Sequence, residues 1–155
     1  MTDYYGIMKW NYLRNNLELH SSQLESDMFN EEYREWILAI KDIMDIGFPT
    51  PELLSELVDA YCDMEFVLLG SKAKGDFDAR KDRILEYVYT TTFDTLTTFR
   101  VRSPGVIISK AQEAVLQANI AKPLTKTSGK IEKGKDWVDP KIEITRIIKE
   151  HLKGI

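Results

Sequence analysis

The sequence predicts an all-α fold, because several kinds of signal agree along its 155 residues. Apolar residues recur at helical spacing in a series of long segments. Capping residues stand before these segments, and Gly or Pro follows them. With 43% hydrophobic and 30% charged residues and no internal repeat, the chain is typical of a globular protein. We therefore expect one helical domain spanning residues 1–155.

The first two predicted helices precede a clear break. Residues 3–19 are amphipathic with helical period. Ser22 and Glu25 form a capping box, which predicts the start of a long second helix. That helix is expected to end at Gly47, because glycine readily adopts the left-handed conformation that follows a helix.

A third helix is predicted directly after this break. Thr50 is a suitable N-cap, and Pro51 fits the first helical position. Gly70 is expected to end this helix, and residues 72–76 are expected to form a loop. The connection to the second helix is short, which favours antiparallel packing of the two.

The remaining helices are less regular in sequence. Residues 78–99 have a helical apolar pattern, although their threonines lower helix propensity. The breaker at 103–105 separates them from a helix expected over 107–121. Residues 124–138 are polar and rich in Gly and Lys. Pro140 then opens a last amphipathic helix.

Several classes of protein are disfavoured by composition. No apolar run has the length of a membrane span, and the first residues lack the pattern of a signal peptide. The single Cys62 excludes an internal disulfide framework and fits a reducing compartment. His20 and His151 are isolated, so neither is a candidate for catalysis. We expect a cytoplasmic protein without membrane contact.

Charge is distributed unevenly along the chain. Residues 1–100 carry 10 Lys and Arg against 19 Asp and Glu, hence −9. Residues 101–155 carry 11 against 6, hence +5. The basic segment has two interpretations: it binds nucleic acid, or it folds back to meet an anionic substrate beside the acidic part.

Two acidic clusters lie inside the second and third predicted helices. Each falls on one face of its helix, within an arc of roughly 100° for the first and roughly 60° for the second. A solvated acidic face is the usual explanation for such clusters, but these carboxylates interrupt apolar stripes, and inward charges need partners or metals. Two such helices are suited to hold a hard divalent cation, which prefers oxygen ligands. The clusters are Glu31, Glu32 and Glu35 in one helix and Glu56, Asp59 and Asp63 in the next.

These motifs resemble those of the MazG-like all-α nucleoside triphosphate pyrophosphohydrolases, the superfamily that includes phosphoribosyl-ATP pyrophosphatases and dimeric dUTPases. The pattern E-E-x-x-E followed by E-x-x-D matches, and residues 56–70 extend the match as E-x-x-D-A-x-x-D to a glycine. Residues 117–122 and 129–134, with Trp137 and Asp139-Pro140, are similar to two further stretches of phage and bacterial members.

The chain also departs from the family pattern. Asp59 and Asp63 are four residues apart, where many relatives have an acidic pair three apart before the same glycine. Ala121 replaces the usual serine. Residues 76–104 are longer than the connection in relatives, which indicates an insertion in a four-helix core. Residues 122–155 are then a basic C-terminal extension that ends in a helix.

The resemblance implies a hydrolase of nucleotide metabolism that cleaves the α–β phosphoanhydride of an NTP or dNTP, giving a nucleoside monophosphate and pyrophosphate. It implies Mg²⁺, with Mn²⁺ as a substitute, held by Glu32, Glu35, Asp59 and Asp63. Glu56 is then a supporting ligand. Glu31 is a ligand or the base that positions water.

The resemblance also implies residues that contact the substrate. Lys122, Lys130 and Lys133 would hold phosphate, and Asn119 would orient ribose or phosphate. For Trp137, stacking on a base and capping the core are both open. The lysines have a simpler alternative as a solvated linker.

The resemblance implies the oligomeric state, and the basic segment with Trp137 supports a rival function. The family implies a homodimer or homotetramer, in the cytoplasm of the host if the gene is from a phage. The rival hypothesis is a non-enzymatic helical protein that binds nucleic acid or supports assembly, although we consider nucleic acid the weaker partner. A third hypothesis, a degenerate member that binds nucleotide without cleaving it, is disfavoured by the intact carboxylates.

Overall fold

The computed structural model describes residues 4–13, 21–122, 126–127, 130–131, 133–134 and 136–152. Within these ranges six helices and one short hairpin are present, which confirms the predicted all-α class. No helix in these ranges is long and apolar enough to cross a membrane. Residues 14–19 of the predicted first helix lie outside the described part. The elements are α1 (Tyr4–Leu13), α2 (Ser22–Ile46), α3 (Pro51–Ala73), α4 (Ala79–Thr98), α5 (Pro104–Ile120), β1 (Lys126–Thr127), β2 (Lys130–Ile131) and α6 (Lys141–His151).

Helix α2 begins one residue earlier than its capping signal predicted. The N-cap is Ser21, whose hydroxyl accepts a hydrogen bond of 3.3 Å from the backbone N–H of Leu24. The predicted box with Ser22 is therefore wrong, because the Glu25 side chain is buried against α3 instead of turning back to the cap. The predicted end is confirmed, since Gly47 has the left-handed φ of 78°.

Helix α3 begins as predicted and ends later than predicted. The Thr50 hydroxyl caps it, and Pro51 occupies its first position. The predicted end at Gly70 is wrong, because the helix continues to Ala73. A Cβ at Gly70 would lie 3.5 Å from Nδ2 of Asn11. This is an ordinary van der Waals distance, so Gly70 packs beside α1 inside the helix and does not end it.

Helix α4 forms despite its threonines. The hydroxyls of Thr92, Thr95 and Thr98 donate to carbonyls four residues earlier, at 2.7, 2.7 and 2.8 Å. These bonds keep the hydroxyls satisfied within the helix, so the low propensity of threonine does not prevent it. The helix predicted over 107–121 begins earlier, at Pro104, because proline fits the first helical turn.

Helix α3 lies at the centre and contacts α1, α2, α4, α5 and α6. Almost every side chain from Leu57 to Met64 is buried, which is typical of a helix surrounded on all sides. Contacts to α2 pair the end of α3 with the start of α2, through Lys74 and Glu25. The two helices are therefore antiparallel, as their short connection predicted.

Residues 76–104, which the family comparison marks as an insertion, are part of the hydrophobic core. Val88 and Leu96 of α4 are fully buried in the same cluster as residues of α2, α3, α5 and α6. The indole N–H of Trp36 donates to the Thr92 hydroxyl at 3.0 Å. Helix α4 thus stabilises the face of α2 and α3 that lies away from the acidic clusters.

Candidate functional site

A cavity of about 410 Å³ opens between α1, α2, α3, α5 and the segment that leads into α6. Its volume lies within the range of small-molecule pockets. Five carboxylates form one side, and we name them the acidic wall. They are Glu31, Glu32 and Glu35 from α2 and Asp59 and Asp63 from α3.

The two aspartates of the acidic wall are the least accessible to solvent. Asp59 is 9% exposed, and Asp63, one helical turn later, is half-buried. Oδ1 of Asp59 is buried and, among the residues that the structure describes, has no hydrogen-bond partner. A buried carboxylate oxygen without a donor is costly, so this atom requires a proton, a water or a cation.

Burial and mutual repulsion raise the pKa of both aspartates. Burial first, and then the charges of Asp139 and Glu35, raise the pKa of Asp59 to about 7, while the charge of Lys141 opposes them. Burial also raises the pKa of Asp63 well above its ordinary value, with Asp59 and Glu32 as the next causes and Lys122 opposing. The acidic wall therefore holds more negative charge than its surroundings stabilise.

The chemistry of the acidic wall fits a hard divalent cation. Within the described ranges, no three carboxyl, imidazole or thiol groups stand close enough together to bind an ion as they are placed. All potential metal ligands of the acidic wall are carboxylate oxygens, the ligand type that Mg²⁺ and Mn²⁺ prefer. The buried Oδ1 of Asp59 accepts no hydrogen bond from the described residues, and the anionic Asp139 and Glu35 lie near it together with the cationic Lys141. Binding an ion here requires rotamer changes, which the exposed Glu31 and Glu35 side chains can make.

The raised pKa values predict a stability that falls as pH rises. Between 3.8 and about 7, the folded chain holds a proton on Asp59 that the unfolded chain releases. Without divalent cations, the melting temperature should therefore be a few degrees lower at about pH 8 than at about pH 5. Asp63→Asn should reduce this shift, because the remaining carboxylates repel each other less. The control Glu56→Gln should keep it, and an equal shift in all three proteins would contradict the assignment.

Three of the lysines that line the cavity come from the C-terminal part of the chain, and we name them the basic rim. They are Lys122 after α5, Lys133, and Lys141 at the start of α6. The ring of Trp137 lies beneath two of them, with its centroid 4.4 Å from Nζ of Lys133 and 5.8 Å from Nζ of Lys122. The Trp137 indole N–H donates to the Ala118 carbonyl at 2.7 Å, which fixes the ring against α5.

Asn119 lines the cavity from α5 and is buried. Its side-chain amide donates to the Val115 carbonyl at 3.0 Å, and its backbone carbonyl accepts from the Trp10 indole N–H at 2.7 Å. Asn119 therefore joins α5 to α1 at the edge of the cavity. The predicted contact of Asn119 with substrate stays a prediction.

The structure brings together most of the residues predicted from the sequence, but it leaves two of them out. All five carboxylates of the acidic wall line one cavity with Asn119, Lys122, Lys133 and Trp137. Glu56 does not line it, because its side chain is exposed on another face of α3. The side chain of Lys130 lies outside the described part of the chain.

Sequence inspection missed several residues of the cavity. Asp139 belongs to the Asp139-Pro140 motif, and Lys141 directly follows that motif. Nothing in their spacing predicts that they lie near Asp59. Glu25 was assigned to a capping box, and Lys74 was assigned to a loop. Both line the cavity, and they became identifiable only once α2 and α3 were seen to be antiparallel.

Comparison with known proteins identifies no relative. No protein-family model matches the chain, and neither a curated protein nor a solved structure matches it significantly. The site must therefore be interpreted from its own residues. Its features are one cavity that is lined by a cluster of carboxylates, by lysines close to them, and by apolar and polar side chains.

Proposed function

We propose that the chain is a Mg²⁺-dependent nucleoside triphosphate pyrophosphohydrolase with a MazG-like core. It cleaves the α–β phosphoanhydride and releases a nucleoside monophosphate and pyrophosphate. The observation that carries this proposal is the cavity that an acidic wall on α2 and α3 lines together with a basic rim. A polyphosphate needs both elements: cations close to its oxygens and carboxylates that hold a metal ion.

The acidic wall has the primary role in this proposal. Glu32, Glu35, Asp59 and Asp63 would hold the cation, with Glu31 as a further ligand or as the base that orients water. When bound, Mg²⁺ would supply positive charge that offsets the charge developing on the phosphoryl oxygens. Asp139 adds a carboxylate whose charge acts on Asp59, so we include it among the supporting groups. Glu56 has no role in the proposal, because it points away.

The basic rim supports binding of the phosphates. Lys122 lies near enough to Asp63 to lower its pKa, and Lys141 acts in the same way on Asp59. A polyphosphate placed between the lysines and a cation on the acidic wall would have its charge neutralised from two sides. The rim thus links the basic C-terminal part of the sequence to the acidic body.

Oligomerisation is part of the same proposal. Several large apolar side chains of α2 lie on its outer surface, including Leu38 and Met44, and Phe48 is exposed in the loop that follows. Exposed apolar side chains in one region are typical of protein–protein contact surfaces. A homodimer or homotetramer in the cytoplasm is the state that we propose for the active enzyme.

The proposed reaction is tested by identifying products. The chain is incubated with each common ribo- and deoxyribonucleoside triphosphate and Mg²⁺, and the products are separated by ion-exchange chromatography. We expect monophosphate and pyrophosphate in equal amounts from at least one nucleotide, and none after chelation. Release of orthophosphate and diphosphate would indicate a different bond, and intact nucleotides throughout would contradict the proposal. A gel shift with nucleic acid in the absence of hydrolysis would favour the rival binding function.

The basic rim yields a further prediction. Lys122→Ala and Lys133→Ala should each weaken nucleotide affinity by about tenfold, because each removes a charged donor to phosphate. Unfolding should change little, because partly exposed lysines contribute little to stability. The matched control is Lys41→Ala, an exposed lysine of α2 that does not line the cavity. Wild-type kinetic constants in both rim variants would show that these lysines do not contact the nucleotide.

A further inference from the structure

The end of the cavity away from the acidic wall contains a buried ion pair. Glu25 of α2 is 2% exposed at its side chain, and Lys74, which follows α3, is 7% exposed. One carboxylate oxygen of Glu25 accepts from Nζ of Lys74, and the other accepts from the Ser71 hydroxyl at 2.7 Å. Both residues of the pair line the cavity. Their charges cancel, so this end is neutral overall.

Lys74 has donor capacity that the pair does not use. An ammonium group has three N–H donors and no acceptor. Among the residues that the structure describes, Glu25 is the only side chain that Nζ of Lys74 contacts. Buried donors take their partners from the protein, from ordered water or from a bound molecule, and these donors lie beside a cavity that can admit one.

The walls at this end suit a flat ring. Met28, Phe66 and Val67 supply half-buried apolar surface, and the Trp10 ring packs edge-on against Phe66 with centroids 5.2 Å apart. The Trp10 ring is fixed in turn by its hydrogen bond to Asn119. Apolar walls with a few fixed polar groups are the usual construction of a small-molecule subsite.

The distance to the acidic wall fits the length of a nucleotide. Glu25 and Glu32 both line the cavity from α2, seven residues apart. At the rise of an α-helix, this separation is about 10 Å. A ribose between a base at Lys74 and an α-phosphate at the acidic wall would span this gap. A phosphate at Lys74 is disfavoured, because Glu25 already neutralises its charge.

We infer that this end of the cavity is a nucleobase subsite that selects bases with a carbonyl oxygen at C4 of a pyrimidine or at C6 of a purine, with Lys74 donating to that oxygen. The inference rests on the proposed function, because it takes the bound molecule to be a nucleotide. It assigns uracil, thymine, guanine or hypoxanthine to the site ahead of adenine. Adenine places an amine donor where hypoxanthine has its oxygen, so two donors would meet at Lys74.

The test compares nucleotides that differ by a single oxygen. Affinities of the metal-free protein are measured by isothermal titration calorimetry in two pairs. One pair is inosine monophosphate and purine riboside monophosphate, and the other is uridine monophosphate and pyrimidin-2-one riboside monophosphate. We expect the member with the C6 or C4 oxygen, inosine or uridine monophosphate, to bind about tenfold to a hundredfold more tightly in at least one pair. Equal affinities within both pairs, or no binding of any of the four, would overturn the inference.

A pair of variants assigns the preference to Lys74. Glu25→Gln with Lys74→Met removes both charges together, so no buried charge is left alone, and it should abolish the preference. The control is Lys72→Met, which alters a lysine two residues earlier that pairs with Asp82 outside the cavity. This control should keep the preference. A preference that survives in the double variant would exclude Lys74 as the donor.

The outcomes separate this inference from the proposed hydrolysis. If no triphosphate is cleaved but the carbonyl preference is present and depends on Lys74, the subsite holds and the hydrolase proposal fails. If triphosphates are cleaved but both members of each pair bind alike, the hydrolase proposal holds and the subsite fails.

Discussion

Asp63→Asn is expected to lower pyrophosphate release by at least roughly a hundredfold, the scale found when a group aimed at developing charge is removed. The amide keeps the size of the side chain but removes an anionic oxygen from the acidic wall. Glu35→Gln should act in the same direction from α2. The measurement is the steady-state rate of pyrophosphate release with saturating Mg²⁺.

The same Asp63→Asn protein should be more stable than the wild type when metal is absent. Burial and the charges of Asp59 and Glu32 disfavour the ionised form of Asp63, and the amide removes that repulsion. The matched control is Glu56→Gln, on the same helix but exposed outside the cavity. It should leave both rate and melting unchanged. If the carboxylates only form a solvated acidic face, Asp63→Asn and Glu35→Gln should leave rate and melting unchanged, as Glu56→Gln does.

Lys74→Met is expected to destabilise the fold by about 3–5 kcal/mol, the range for leaving one member of a buried ion pair alone. Glu25 would remain buried with the Ser71 hydroxyl as its one side-chain donor among the described residues. The double variant Glu25→Gln with Lys74→Met should recover most of this loss, because neither charge remains. The measurement is the free energy of unfolding in urea at neutral pH. Equal destabilisation in the single and double variants would mean that packing, and not the unpaired charge, is the cause.

Local signals predicted most helix boundaries. The glycine at 47, the threonine at 50 and the proline at 140 mark the boundaries that the structure shows, since each acts through its own backbone or capping bond. Gly70 failed as an end signal, because α3 continues through it to Ala73 while Gly70 packs beside α1. The capping box failed for the same kind of reason, since the Glu25 carboxylate pairs with Lys74 from the end of α3.

The candidate site was predictable where its residues share one helix. Glu32 and Glu35, or Asp59 and Asp63, fall on one face by helical period alone. Lys74 and Lys141 reach the cavity only through packing between elements distant in sequence. Glu56 shows that membership of the acidic motif does not by itself place a residue in the site. It belongs to the acidic motif, but the rotation of α3 places it in solvent.

The central claim is that the acidic wall binds a divalent cation, and thermal melting with and without Mg²⁺ or Mn²⁺ tests it most directly. The protein is first freed of metal by chelation and then melted at about pH 8, where the wall is most anionic. A cation at about a hundred times its dissociation constant should stabilise the wild type by about 2.7 kcal/mol. Glu56→Gln should respond equally, and Asp63→Asn should respond much less. Unchanged melting of the wild type with either cation would contradict the account.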